Sequence, residues 1–393
     1  MSVTLPPVIT PAALAGRAPG VYRQDVFPAP EPTFLTGTPV FLGRAGNGTP
    51  NVPVMLTLWP QFPAAFGAPL ADGALARAVR GFFENDGLLC YVLRLDDNIT
   101  SSLNRLRAGL DAISAMEGVD LVCAPDIVAP YSEAAPNVDA VVALQREVLN
   151  HCRRSGDRFA ILDGVLSSDT AVIENQRSRL NSDFGALYFP WLWVAREGRQ
   201  AAGYIPPCGH VAGVYSRSDQ QVGVHKAPAN EVTHGVLDLR VDLTEAKQGR
   251  LNDLGVNCLR SFPGRGIRVM GARTLSNDPN WTYVNVRRLF VTIGRWLERF
   301  MTEITFSTND VRLWVRILRE LTAYLEDLFH QGMLKGRTPD EAFYVKCDGE
   351  TNSPEVIDAG MVVTEIGLAA AVPGEFIVVR VIHGASGVSV VQA

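Results

Sequence analysis

The chain has 393 residues, enough for two or three domains and a sizeable core. With 47% hydrophobic and 20% charged residues it is not a low-complexity chain, and a formal net charge of −5 gives no global reason to expect nucleic-acid binding. No apolar run reaches the ~18 residues of a membrane helix, Met1–Pro7 lacks the basic-then-apolar pattern of a secretory signal, and the six cysteines form no Cys-x-x-Cys pair. Cytoplasmic synthesis and assembly, without membrane insertion or a disulfide framework, is therefore the expectation.

Residues 1–30 are rich in proline and alanine, with short β-prone pieces at Val3–Leu5, Val8–Ile9 and Val21–Tyr22. Two readings stand: a disordered tail, or an arm that becomes a strand on a partner's sheet edge. Strand patterns follow at 38–43, 88–93, 119–123 and 159–163, separated by helical patterns at 75–85, 101–116 and 138–153. In the second of these helices, Leu103, Leu106, Leu110 and Ile113 recur at helical spacing. Strands alternating with helices predict a mostly parallel sheet covered by helices.

Such a sheet raises an enzyme hypothesis, because ligands bind at the carboxyl ends of parallel strands. Asp126 and Asp163 fall at two such ends. The chain has no Gly-x-x-x-x-Gly-Lys, His-Glu-x-x-His or Gly-x-Ser-x-Gly motif, and no Gly-x-Gly-x-x-Gly after a strand. Cys208-Gly209-His210 is a close Cys/His pair without a second pair to complete a zinc site. Both aspartates are read as strand-end caps and His210 as a structural hydrogen bonder in a turn. No catalytic, cofactor-binding or metal-binding residue is assigned.

Ala186–Leu192 reads as an aromatic strand interrupted by Pro190, Ile205–Tyr215 as a turn opening a small-residue helix, and Lys226–Glu231 as a loop. Ile267–Met270 is a short apolar run bounded by glycines, the pattern of a buried strand. A long helix is expected from Tyr283 to Met301, with Leu289, Phe290, Ile293, Trp296, Leu297, Phe300 and Met301 on one stripe. Arg288, Thr292, Arg295 and Arg299 form another. A second helix, 310–330, is expected to bury Val311, Trp314, Val315, Leu318, Leu321, Leu325, Leu328 and Phe329, with Arg312, Arg316 and Arg319 on a separate face. By residue type alone these arginines read as a solvated face. Strands at 343–348, 361–368 and 375–382 follow. Gly384–Gly387 reads as a flexible linker before a β-prone Val388–Gln392.

A series of segments resembles the tail sheath proteins of contractile phage tails and related injection systems. In order they are Pro19-Gly20-Val21-Tyr22, Gly81–Gly87, Ala186–Leu192, Pro206–Gly213 (with Cys208 where serine is commoner), and Lys226–Asn230. Gly266-Ile267-Arg268-Val269, Gly271–Leu275, Tyr283–Arg288, Val345–Asp348, Glu365-Ile366-Gly367 and Pro373–Ile377 continue the series to the C-terminal end. The motifs are individually modest; their common order carries the resemblance.

The resemblance implies an α/β and α+β protein: a parallel helix-covered sheet, then a mixed helix-sheet C-terminal domain, with extended arms at both ends. The expected division is an N-terminal arm (1–27), an N-terminal and middle α/β domain (28–260), a C-terminal domain (261–383) and a linker with arm (384–393). It implies hexameric rings stacked around an inner tube, contraction, and partners that are other copies, the tube, the baseplate and a tail terminator, in a phage tail or injection particle. Val21, Tyr22, Val388, Val390 and Val391 would be arm residues between subunits. Arg288, Arg295, Arg299, Arg312, Arg316 and Arg319 would be tube-facing candidates. No cofactor and no nucleic acid are implied. An α/β enzyme with an unrecognised site is the alternative.

Overall fold

The structure, a computed structural model, describes residues 35–195, 202–304 and 307–372, and the backbone of 379–384 and 387–392. Strand β1 (Pro39–Gly43) is buried along its whole length. A continuous apolar run, not an alternating one, suits a strand covered on both faces. There follow β2 (Pro53–Leu56), α1 (Gln61–Phe66), α2 (Leu75–Glu84), β3 (Cys90–Arg94), α3 (Ser102–Ala112), β4 (Leu121–Cys123), α4 (Val138–Ser155), β5 (Phe159–Asp163) and α5 (Thr170–Ser178). Next come β6 (Gly185–Phe189), β7 (Leu192–Val194), β8 (Gly203–Ile205), α6 (Cys208–Gln221), β9 (Glu231–Val232), β10 (Asp238–Leu239), α7 (Glu245–Asp253), β11 (Val256–Phe262) and β12 (Gly266–Met270).

Nine of these strands form one sheet in the order β2-β3-β1-β4-β5-β6-β11-β12-β9. The run from β3 to β11 is parallel, whereas β2, β12 and β9 add antiparallel at its margins. Alternate side chains feed opposite cores. Val40 and Leu42 pack with Leu106, Leu110, Val148 and Leu149 on one face. Phe41 packs with Phe62, Phe82, Val211 and Tyr215 on the other. On that second face α2 and α6 are in backbone contact: a Cβ on Gly209 would lie 2.2 Å from the Ala78 carbonyl oxygen. The expected middle-domain limit at residue 260 falls inside β11, whose hairpin with β12 carries the sheet on to Met270.

The C-terminal layer is built on α8 (Val284–Ile304) and α9 (Val311–His330), followed by α10 (Pro339–Ala342), β13 (Phe343–Lys346), α11 (Pro354–Asp358) and β14 (Glu365–Leu368). Asp310 caps α9 by accepting from the Arg312 and Leu313 amides at 2.9 and 3.1 Å. Trp296 of α8 stacks on Tyr324 of α9, centroids 3.9 Å apart. Leu289, Ile293, Leu325, Leu328 and Leu334 form one small core, and Trp314, Ile317, Leu321 and Cys347 another. β13 and β14 pair antiparallel across α11, and β13 packs against α9.

The phase of α9 differs from expectation. Leu313, Trp314, Ile317, Leu321, Leu325 and Leu328 are buried, while Val311, Val315 and Leu318, expected inside, are 62%, 59% and 39% exposed. The helix has apolar residues on two overlapping stripes, and packing against α8 and β13 selects the one through Ile317. The last strands, β15 (Val379–Gly384) and β16 (Gly387–Gln392), pair antiparallel with Gly384 opposite Gly387. Gly384 and Gly387, at the ends of the expected linker, are thus strand residues, and Ala385 and Ser386 lie outside the described residues.

Candidate assembly surfaces

The aspartates at the carboxyl ends of β4 and β5 are engaged by backbone amides of the chain itself. Asp126, just beyond β4, accepts from the Arg44 and Ala74 amides, each at 2.6 Å. Asp163, ending β5, accepts from the Cys208 amide at 2.7 Å, fixing the start of α6. Both therefore act as caps. Burial pushes the Asp163 carboxyl up to about 7, against its bond from Cys208. His210 lies within α6 rather than in a turn, fully buried, with neither ring nitrogen hydrogen-bonded. Its ring fills the space that a side chain on Gly81 of α2 would occupy. It is a packing residue, and burial lowers its pKa to about 4.

Arg288, expected on a surface stripe, is 2% exposed. Its guanidinium reaches Asp219 of α6 through two bonds, at 2.9 and 2.5 Å, and Asp120, just before β4, at 2.9 Å. It lies 4.9 Å from the centroid of the Tyr215 ring, whose hydroxyl is 2.6 Å from that of Tyr188. Asp120 also accepts from the Gly37 and Thr38 amides at 3.0 and 2.7 Å. One carboxylate thus ties the root of the N-terminal segment to α8. Gly37, at φ +71°, comes so close to α6 that an added Cβ would meet the Ser216 Cα at 2.5 Å. Two carboxylates raise the Arg288 pKa although burial opposes them, so the cation persists. Asp120, Asp219 and Tyr215 were not legible as a unit, because Asp120 and Asp219 lie 168 and 69 residues from Arg288.

The other candidate arginines divide between inside and outside. Arg295 is 8% exposed and belongs to the interior face of α8. Arg299 is half-buried, its Nε 4.0 Å from a Glu303 carboxylate oxygen. Two of the three arginines read along α8, Arg288 and Arg295, are therefore inside the protein. Arg312, Arg316 and Arg319 are all exposed on α9, beside Val311, Val315 and Leu318. Arg319 pairs with the adjacent Glu320 at 2.6 Å. Exposed Met361 adjoins the start of this face, its carbonyl accepting from Asn309 at 2.9 Å. A helix face of alternating apolar and cationic groups suits a partner surface that is apolar and acidic.

Of the candidate arm residues, Val21 and Tyr22 lie outside the described residues. Val388, Val390 and Val391 fall on β16, opposite His383, Val381 and Arg380 of β15. Among the described residues this two-stranded unit has open edges on both sides.

Capped strand ends at β4 and β5, an exposed apolar-cationic helix face and an open-edged terminal strand pair are the features this chain offers for assembly. The phage tail sheath protein central domain matches residues 107–275, and the phage tail sheath C-terminal domain matches residues 276–382. The structure resembles a subunit of the anti-feeding prophage helical sheath in its contracted state, with 30% identity, a TM-score of 0.75, and coverage of 92% of this chain and 98% of that one. It also resembles the PVC sheath complex, an extracellular contractile injection system in its contracted state, with 27% identity, a TM-score of 0.73, and coverage of 94% and 98%. The tail sheath protein of Vibrio phage KVP40 is 30% identical over 179 residues, 44% of this chain. That alignment spans 26% of the Vibrio phage protein, and a similar match spans 32% of the tail sheath protein of Salmonella phage ViI. The chain belongs to the phage tail sheath family.

Proposed function

We propose that this chain is the subunit of a contractile sheath, polymerising as stacked hexameric rings around an inner tube and contracting to drive that tube through a target envelope. The observation that carries this reading is the likeness to contracted sheath subunits along nearly the whole chain, 92% of it at 30% identity. The exposed face of α9 is the tube-facing surface, through Arg312, Arg316 and Arg319 with Val311, Val315 and Leu318. Burial of Arg288 and Arg295 favours α9 over α8 for this role. The N-terminal segment and the β15–β16 pair link neighbouring copies by strand addition at open sheet edges. A baseplate and a tail terminator bound the polymer, which forms part of a phage tail or injection particle assembled in the cytoplasm.

The test is co-expression with the tube protein, followed by sedimentation and negative-stain microscopy. Arg312→Glu, Arg316→Glu and Arg319→Glu together should leave the fold intact and reduce tube-bound sheath, with a defect that depends on salt. Tube-bound sheath of normal yield and length from that variant would remove α9 from the tube contact.

A further inference from the structure

A cationic cavity lies on the helical face of the sheet remote from α6, between α4 and the residues that follow α5. Its volume is about 260 Å³, and Arg146, Leu149, Asn150, Arg153, Arg179 and Asn181 line it. Arg146 donates from Nε and Nη2 to the Arg179 carbonyl, at 3.2 and 2.8 Å. Arg153 donates to the Asn181 carbonyl at 3.4 Å. These bonds orient two guanidiniums without neutralising them. Only Arg179 is paired with a carboxylate, Asp139 at 2.6 Å, among the described residues. Each guanidinium carries five donors, so Arg146 and Arg153 retain donors for a carboxylate.

The same chain supplies a complementary surface. Residues 340–358 contain six acids (Asp340, Glu341, Asp348, Glu350, Glu355 and Asp358) against one base, Lys346. All six are exposed. Lys346 is engaged with Glu350. The acids belong to the C-terminal layer, whereas the cavity belongs to the sheet's helical cover. A contact between two different patches is heterologous: it leaves a free donor patch on one copy and a free acceptor patch on the other, and so propagates.

We propose that the Arg146–Arg153–Arg179 cavity receives carboxylates of the 340–358 segment from a neighbouring copy, forming a charged head-to-tail contact within the polymer. This inference rests on the sheath reading. Two pairs of exposed substitutions test it in the full-length chain: Arg146→Glu with Arg153→Glu, and Glu355→Lys with Asp358→Lys. Each pair alone sets like charges against each other, and tubes should be lost at low salt while circular dichroism and thermal melting stay those of the parent. Combining all four substitutions in one chain restores opposite charges, so tubes should return. Mixing the two double variants should also restore them, as an alternating polymer.

Parent chain that forms no sheath when co-expressed with the tube protein would overturn the sheath reading itself. Parent tubes together with normal tubes from either double variant would overturn the cavity's role alone. Failure of the fourfold variant to recover, with its fold intact, would likewise overturn the proposed pairing.

Discussion

Removing the Arg288 guanidinium as Arg288→Met leaves Asp120 and Asp219 buried without their cation. A charge pair near 4 Å at an effective dielectric of about 20 is worth ~4 kcal/mol before desolvation is charged against it. Arg288 makes two such pairs. Net losses on orphaning one side of a buried ion pair run to about 3–5 kcal/mol, a large fraction of a domain's ~5–15 kcal/mol. Adding Asp219→Asn removes one orphaned charge, while Asp120 keeps its bonds from Gly37 and Thr38. The double variant should therefore be more stable than the single one, by ~1–3 kcal/mol.

The pH dependence of the single variant has a definite sign. Burial already raises the Asp219 pKa, and Arg288 opposes that rise. Without Arg288 the folded state holds a proton that the unfolded state releases near 4, so stability falls as pH rises. Arg288→Met should be more destabilised at pH 8 than at pH 5. Denaturant unfolding of the unassembled chain at both values provides the assay. A single variant within ~1 kcal/mol of the parent at pH 8, with no gain from Asp219→Asn, would refute the reasoning.

The Asp163 pKa of about 7 lies above its unfolded value, so its contribution is fully present below about pH 4 and is lost as pH rises through 7; Asp163→Asn should gain about 2–3 kcal/mol relative to the parent between pH 5 and pH 8, read by denaturant melts. The His210 pKa of about 4 lies below its unfolded value, so its contribution holds above pH 6.5 and is lost as pH falls; His210→Leu should reduce the acid sensitivity of the melting temperature between pH 6.5 and 4. Gly209→Ala places a methyl group 2.2 Å from the Ala78 carbonyl oxygen and should cost at least ~1–3 kcal/mol by forcing α2 and α6 apart, seen as a lower melting temperature. Deleting 379–393 should leave a folded body by circular dichroism yet abolish ordered sheath in electron micrographs; long contractile sheaths from that truncation would remove the strand pair from the linkage.

Much of the fold was legible because its strands are covered on both sides. The apolar runs at 38–43 and 159–163 correspond to β1 and β5 within a residue, since continuous burial leaves a local signature. Local signals also gave the extent of α9, which begins one residue beyond its Asp310 cap. Its rotation was not local. Val311, Val315 and Leu318 are as apolar as the residues that are buried, and only the packing partners choose between the stripes. The surface was harder still. An arginine stripe looks the same whether it meets water or two aspartates 69 and 168 residues away, so Arg288 could not be placed from its neighbours in sequence. The cavity around Arg146 and Arg153 escaped for the same reason: its walls come from α4 and from the chain beyond α5. The pairing of β15 with β16 was not legible because the β-prone Val388–Gln392 carries no local sign of which strand it will meet.

Whether the chain polymerises around a tube is decided by helical reconstruction of the chain co-assembled with its tube protein. Six copies per ring are expected, with the Arg312–Arg316–Arg319 face of α9 turned to the tube and the terminal segments paired with strands of neighbouring copies. A chain that stays monomeric beside assembled tubes, or a polymer whose α9 points away from the tube, would contradict that arrangement.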